Sequence, residues 1–180
     1  MIQLLRRGAA GSSVGTILLM GLLCSSSALT AEFDDEYDQK PWSEIEVQLP
    51  PFPEPGNMIP FGVGAVSDTT FLIDSESLSY GTDRVIRYTL EVVSPSGAKN
   101  ISYEGMRCET GERRFYAFGR ADNTWSKARS NKWVKISGTS NNHHVELFSN
   151  YFCTPGSTAV ESAEEARQVL RSGGQRAKRN

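Results

Sequence analysis

Apolar and polar residues alternate most cleanly at residues 86–92. Ile86, Tyr88, Leu90 and Val92 take one parity; Arg87, Thr89 and Glu91 take the other. Side chains of a strand point to opposite faces in turn, so the pattern predicts a strand with one buried and one wet face. Ser94, Pro95, Ser96 and Gly97 follow and read as a turn. A second strand then runs over residues 100–108, with broken parity. Ile101 and Tyr103 share one face, Met106 and Cys108 the other, with Gly105 between. A bulge at Gly105 would bring all four to the core. The alternative is an inward-pointing Glu104, which is costly unless it is paired.

Shorter apolar runs flank this hairpin. Residues 69–74 and 77–80 predict two strands, and Gly81, Thr82 and Asp83 turn the chain into the hairpin. A turn at residues 109–112 leads to an aromatic strand over 113–119. Phe115 is expected on one of its faces, Tyr116 and Phe118 on the other. After a turn at 121–124 and Trp125, residues 133–136 read as a last short strand. Strands at this spacing predict an antiparallel meander. The period changes over residues 141–152, where Val145, Phe148 and Phe152 fall on one helical face and Asn141 or Asn142 can cap the start. Such a helix would cover the apolar face of the sheet. Thr154, Pro155 and Gly156 stop it. Residues 157–171 have helix propensity but thin apolar content, chiefly Val160, Val169 and Leu170, and predict an exposed helix. The basic end, 175–180, reads as a free tail. The fold class is α+β: a small antiparallel β-meander covered by a short C-terminal helix.

The N-terminal part is different in kind. Arg6 and Arg7, the apolar run 17–23 and the small residues Ser26, Ser27 and Ala28 have the pattern of a secretory signal, with Ala31 a second cleavage candidate. Leu23 argues against Cys24 as a lipid-attachment cysteine, and the surroundings of Arg6 and Arg7 are loose for a twin-arginine signal. Residues 32–38 are acidic and expected to be loosely attached. Residues 49–56 (LPPFPEPG) are proline-rich and expected to lie as a stiff strap on their own domain. The predicted organisation is a signal peptide at 1–28, an acidic and proline-rich extension at 29–60, the domain at 61–156, and an exposed helix with a basic tail at 157–180.

Composition changes this picture little. The 180 residues are 38% hydrophobic and 22% charged, with a net charge of −2. A leader would take two of the 19 basic residues and none of the 21 acidic ones, leaving −4. Nucleic acid is not an expected partner. The cysteines matter more. Of three, Cys24 lies in the leader, so the mature chain keeps Cys108 and Cys153. An even pair in an exported chain predicts a disulfide, which would pin the covering helix to the sheet.

Several short stretches occur in the order of a known family. They are residues 71–74 (FLID) with 77–79 (SLS), 85–90 (VIRYTL), 94–98 (SPSGA), 100–108 (NISYEGMRC) and 151–153 (YFC). Over about residues 42–153 the chain resembles the CNP-one-like family of exported proteobacterial proteins. The resemblance implies a periplasmic or envelope location. It supplies no activity, cofactor or catalytic residue.

Candidate chemistry is sparse. His143 and His144, with Glu146, are adjacent on the predicted helix, where neighbours point about 100° apart, and they read as surface residues rather than metal ligands. No metal or cofactor is expected. No phosphate loop or nucleophile elbow is present. The polar set that stands out is Glu104, Arg107 and Arg87, an ion-pair or ligand site whose first reading is structural. The second half is basic and aromatic, which in an exported protein suits lipid headgroups, envelope polysaccharide or another protein. The expectation is therefore a non-enzymatic binding or structural module. The rivals are an enzyme with a carboxylate-based site at Glu104 and a protein that binds anionic lipid surfaces.

Overall fold

The computed structural model describes residues 41–64, 68–138, 142–154, 157–158 and 160–175. The expected leader, the acidic stretch at 32–38 and the last residues of the basic tail lie outside them. The hairpin read from the alternation is the centre of an antiparallel sheet. β4 (Val85–Val93) and β5 (Lys99–Arg107) pair from Val85 opposite Arg107 to Val93 opposite Lys99. β1 (Met58–Phe61) and β2 (Thr70–Asp74) extend one side, β6 (Glu112–Gly119) and β7 (Trp125–Lys127) the other. The order is β1-β2-β4-β5-β6-β7; β3 (Ser79–Tyr80) pairs β4, and β8 (Val134–Lys135) pairs β6.

The register through Gly105 is regular, with Arg87, Tyr88 and Thr89 opposite Gly105, Glu104 and Tyr103. The expected bulge at Gly105 is therefore absent. It lies one strand over, where Tyr103 faces Ala117 but Glu104 faces Phe115, so Tyr116 is the extra residue of β6. Gly105 is needed for packing instead: a Cβ there would run into the Tyr116 ring and hydroxyl. Regular alternation on β5 puts Ser102, Glu104, Met106 and Cys108 on the face that carries Ile86, Tyr88 and Leu90. The displaced bulge corrects β6 too. Phe115 and Phe118 come to the same face, their ring centroids 5.1 Å apart.

That face is the main core. Phe61, Phe71, Ile73, Ile86, Tyr88, Leu90 and Met106 pack there against residues of the chain after β8. Asn142 opens the covering helix by accepting a hydrogen bond from the His144 amide at 2.9 Å. α1 (His143–Glu146) then widens into a π-helical turn, Leu147–Phe152. The wider turn buries Leu147, Tyr151 and Phe152 together, so of the face at 145, 148 and 152 that a 3.6-residue period selects only Phe152 is fully buried. Cys153 opens β9 (Cys153–Thr154), paired with β10 (Ser157–Thr158), and is disulfide-bonded to Cys108 with Cα atoms 5.4 Å apart. The staple holds the helical cover to β5 as expected.

α2 (Ala163–Arg171) is not the exposed helix its composition suggested. Ser162 caps it, accepting from the Glu165 amide at 3.1 Å. Ala166, Val169 and Leu170 are buried in the main core, with Val160 ahead of them. The alanines complete a narrow stripe that valine and leucine alone leave unrecognised. Arg167 also reaches across to donate to the Ser75 carbonyl at 2.8 Å.

The back of the sheet is covered by the strap. Val47 and Leu49 pack against Tyr103, Tyr116 and Ala117, and Trp125 Nε1 donates to the Pro50 carbonyl at 2.9 Å. Trp42 donates to the Asp83 carbonyl at 2.8 Å and lies 3.6 Å from the Arg107 guanidinium. Glu44 anchors the segment: its carboxylate accepts from Arg87, Arg114 and the Tyr116 hydroxyl.

Candidate functional site

A cavity of about 800 Å³ opens beside α1, over the face of β4, β5 and β6. The two phenylalanines aligned by the β6 bulge form one wall, Leu90 and Val92 another, and His143 and His144 of α1 a third. The size is that of a small-molecule pocket.

Glu104 lies at the floor and is 1% exposed. Its Oε2 takes a hydrogen bond from His144 Nε2 at 2.7 Å and one from the Tyr88 hydroxyl at 3.3 Å; its Oε1 takes one from the Ser102 hydroxyl at 2.6 Å. Burial opposes charge on this carboxyl. The bond and field of His144, the Ser102 hydroxyl and the nearby Arg113 together outweigh burial and hold it below the ordinary carboxylate value. Glu104 is thus a satisfied buried carboxylate, and Nε2 of His144 carries the proton between them. Tyr88 moves the other way: burial first, then the negative Glu104, keeps its hydroxyl protonated and donating.

The other ring nitrogen of His144, Nδ1, is not used by Glu104. Among the described residues that nitrogen has no hydrogen-bond partner, and it is not one of the buried partnerless atoms; its ring lines the cavity. His143 stacks on Phe71 with centroids 5.1 Å apart, and 4.1 Å separates the two imidazole centroids. The surface reading of the two histidines is therefore corrected. His144 is 6% exposed and His143 half-buried, and both face one cavity. Among the described residues no three His, Cys, Asp or Glu side chains are grouped to hold a metal ion.

Burial, then the neighbouring His144, lowers the His143 pKa to about 4 from 6.5; Glu104 and Arg113 are the other charged groups acting on it. The unfolded chain therefore takes up a proton there before the folded one does. Stability is full above about pH 6.5 and is lost as the pH falls toward 4. Glu104 adds a second loss below its ordinary value near 4.5 as the pH falls through its depressed one. Thermal melts should drop from pH 6.5 downward. His143→Gln should flatten the profile between 6.5 and 4.5 while keeping the drop below 4.5; an unchanged upper slope would contradict the assignment.

The sequence-derived polar set is not one site. Glu104 faces the cavity, whereas Arg87 and Arg107 project to the other face. Arg87 is 4% exposed and pairs with Asp83 and Glu44; Arg107 sits by Trp42 and 3.6 Å from Glu112. The arginine that belongs with Glu104 is Arg113 of β6, which also lines the cavity. Sequence reasoning missed it, together with Tyr88, Ser102 and His144, because the β5–β6 register decides which of them meet. The parity of Ser102, Glu104, Met106 and Cys108 was the available signal.

A family model described as the CNP1-like family matches residues 37–171. The matched region takes in α2, beyond the stretch 42–153 that carries the resemblance in sequence. No curated protein and no solved structure matches the chain.

Proposed function

The chain belongs to the CNP1-like family, and we propose that it is an exported domain that binds a small molecule in the cavity between its sheet and α1. The observation that carries this reading is the cavity itself. It joins an apolar wall to a few fixed polar groups around a rigid Glu104–His144 floor, which is the usual composition of a ligand site. The leader-like residues 1–28 and the Cys108–Cys153 bond support action outside the cytoplasm.

A fragment library of mixed charge, screened by protein-observed NMR on the chain from residue 29, tests it. Binders should shift the amides of Ile101, Phe115, Phe118 and His144 together, and Phe118→Ser should weaken them about tenfold or more without changing the melt. Phe118 is 43% exposed, so its loss costs the fold little. A library in which no fragment moves those amides would overturn the proposal.

A further inference from the structure

We infer that the ligand is a small hydroxy acid with an apolar body, its hydroxyl received by Nδ1 of His144 and its acid group by Arg113. The inference rests on the binding role proposed above and adds the chemistry of the occupant.

Three features of the cavity carry it. The first is the unused ring nitrogen. Glu104 takes the hydrogen bond of Nε2–H, so on a neutral His144 Nδ1 is an acceptor. A ligand meeting it must bring an O–H or N–H. The group that does so must be neutral and compact, because Glu104 lies just behind the ring and its carboxylate is already engaged by three donors. A second acidic group there would be repelled.

The second feature is the unpaired cation. Among the described residues Arg113 has no hydrogen-bond or ion-pair partner, and none of its nitrogens is a buried partnerless atom. Its guanidinium lies 4.5 Å from the Phe115 ring centroid, on the wall of the cavity. The other lining cation differs: Lys99 is paired with Glu91 at 2.9 Å. An arginine held against an aromatic face keeps its planar fork of donors, which matches a carboxylate bidentately. Arg113 thus supplies the counter-charge on β6, while the acceptor lies on α1.

The third feature is what lies between them. The Phe115 and Phe118 rings make an apolar surface, and Phe118 is 43% exposed despite its size. A planar or short aliphatic body would remove that surface from water. Together the three features specify a donor, an apolar spacer and an anion.

The test is a titration series followed by the same NMR amides, using 3- and 4-hydroxybenzoate, benzoate, phenol and 4-hydroxybenzylamine at pH 7.5. At least one hydroxybenzoate should bind several-fold tighter than benzoate and than phenol, and the amine should bind weakest. Arg113→Gln should remove the advantage over phenol while leaving the melt within a few degrees of wild type. A ¹⁵N–¹H long-range correlation spectrum of the imidazoles should show His144 as the Nε2–H tautomer. Its Nδ1 resonance should move with hydroxybenzoate and stay with benzoate. Equal affinity across the series, tighter binding of the amine, or a His144 protonated on Nδ1 would overturn the inference and leave the pocket reading intact. Failure of every compound, including phenol, to reach the cavity amides would count against both.

Discussion

Cys153→Ser should lower the melting temperature by about 10–20 °C, and reductant should do the same to the wild-type chain. The Cys108–Cys153 bond closes a loop of sequence separation 45. In the chain-entropy account a loop of that size stabilises by about 4 kcal/mol, a large part of the 5–15 kcal/mol typical of a whole domain. For a domain of this size each kcal/mol moves the midpoint by roughly 3–5 °C. The bond's position adds to the loss. Both sulfurs are buried in the main core, and Cys153 directly follows the π-helical turn that carries Tyr151 and Phe152. A serine hydroxyl there would have to find a partner or stay unsatisfied. The check is a thiol titration of the denatured, non-reduced chain from residue 29, beside melts with and without reductant. Two free thiols per chain, or a melt indifferent to reductant, would remove the staple from the account.

Much of this frame was readable from local pattern. The alternation at Ile86, Tyr88, Leu90 and Val92 needs nothing beyond its own strand to predict a buried face. The proline run 49–56 predicts a strap because proline leaves the backbone few choices, and the two cysteines outside the expected leader predict their own bond. The site was harder because it depends on which residue takes the extra place between β5 and β6. Gly105 and Tyr116 are on neighbouring strands. Composition favours glycine as the bulge, while the packing of the Tyr116 ring over Gly105 favours tyrosine. That one choice decides whether Glu104 points into the core and whether Phe115 and Phe118 share a wall. The partner of Glu104 is 40 residues away, on the short α-helical turn ahead of the π-helical one. The helical face read at 145, 148 and 152 leaves His144 off it. α2 was misjudged for a different reason: two of its packing residues are alanines, which look neutral in composition and act only through spacing.

Glu104→Ala should destabilise the fold by about 3 kcal/mol or more in urea unfolding at pH 7.5, since it strands three buried donors at about 1–3 kcal/mol each. The loss would not come from the carboxylate's own burial, which is unfavourable. It would come from the His144 imidazole, the Ser102 hydroxyl and the Tyr88 hydroxyl, all left facing a void with no acceptor. Glu104→Gln should cost less, because an amide oxygen can still accept from one or two of them, but it cannot carry the charge that fixes the His144 tautomer. The two changes thus separate packing from electrostatics. His144→Phe alone should also destabilise, since it strands a carboxylate that is 1% exposed with only two hydroxyl donors. The double variant Glu104→Leu with His144→Phe replaces both polar partners by apolar side chains of similar size. Its loss should fall well short of the sum of the singles, giving a coupling of at least about 1 kcal/mol. Glu104→Leu should also reduce the loss of stability expected below pH 4.5, of which Asp83, despite its burial held below its ordinary value by its hydrogen bonds and Arg87, keeps a share. Additive losses together with an unchanged acid limb would mean that Glu104 and His144 merely lie side by side. The fixed acceptor at Nδ1, on which ligand choice depends, would then have no basis.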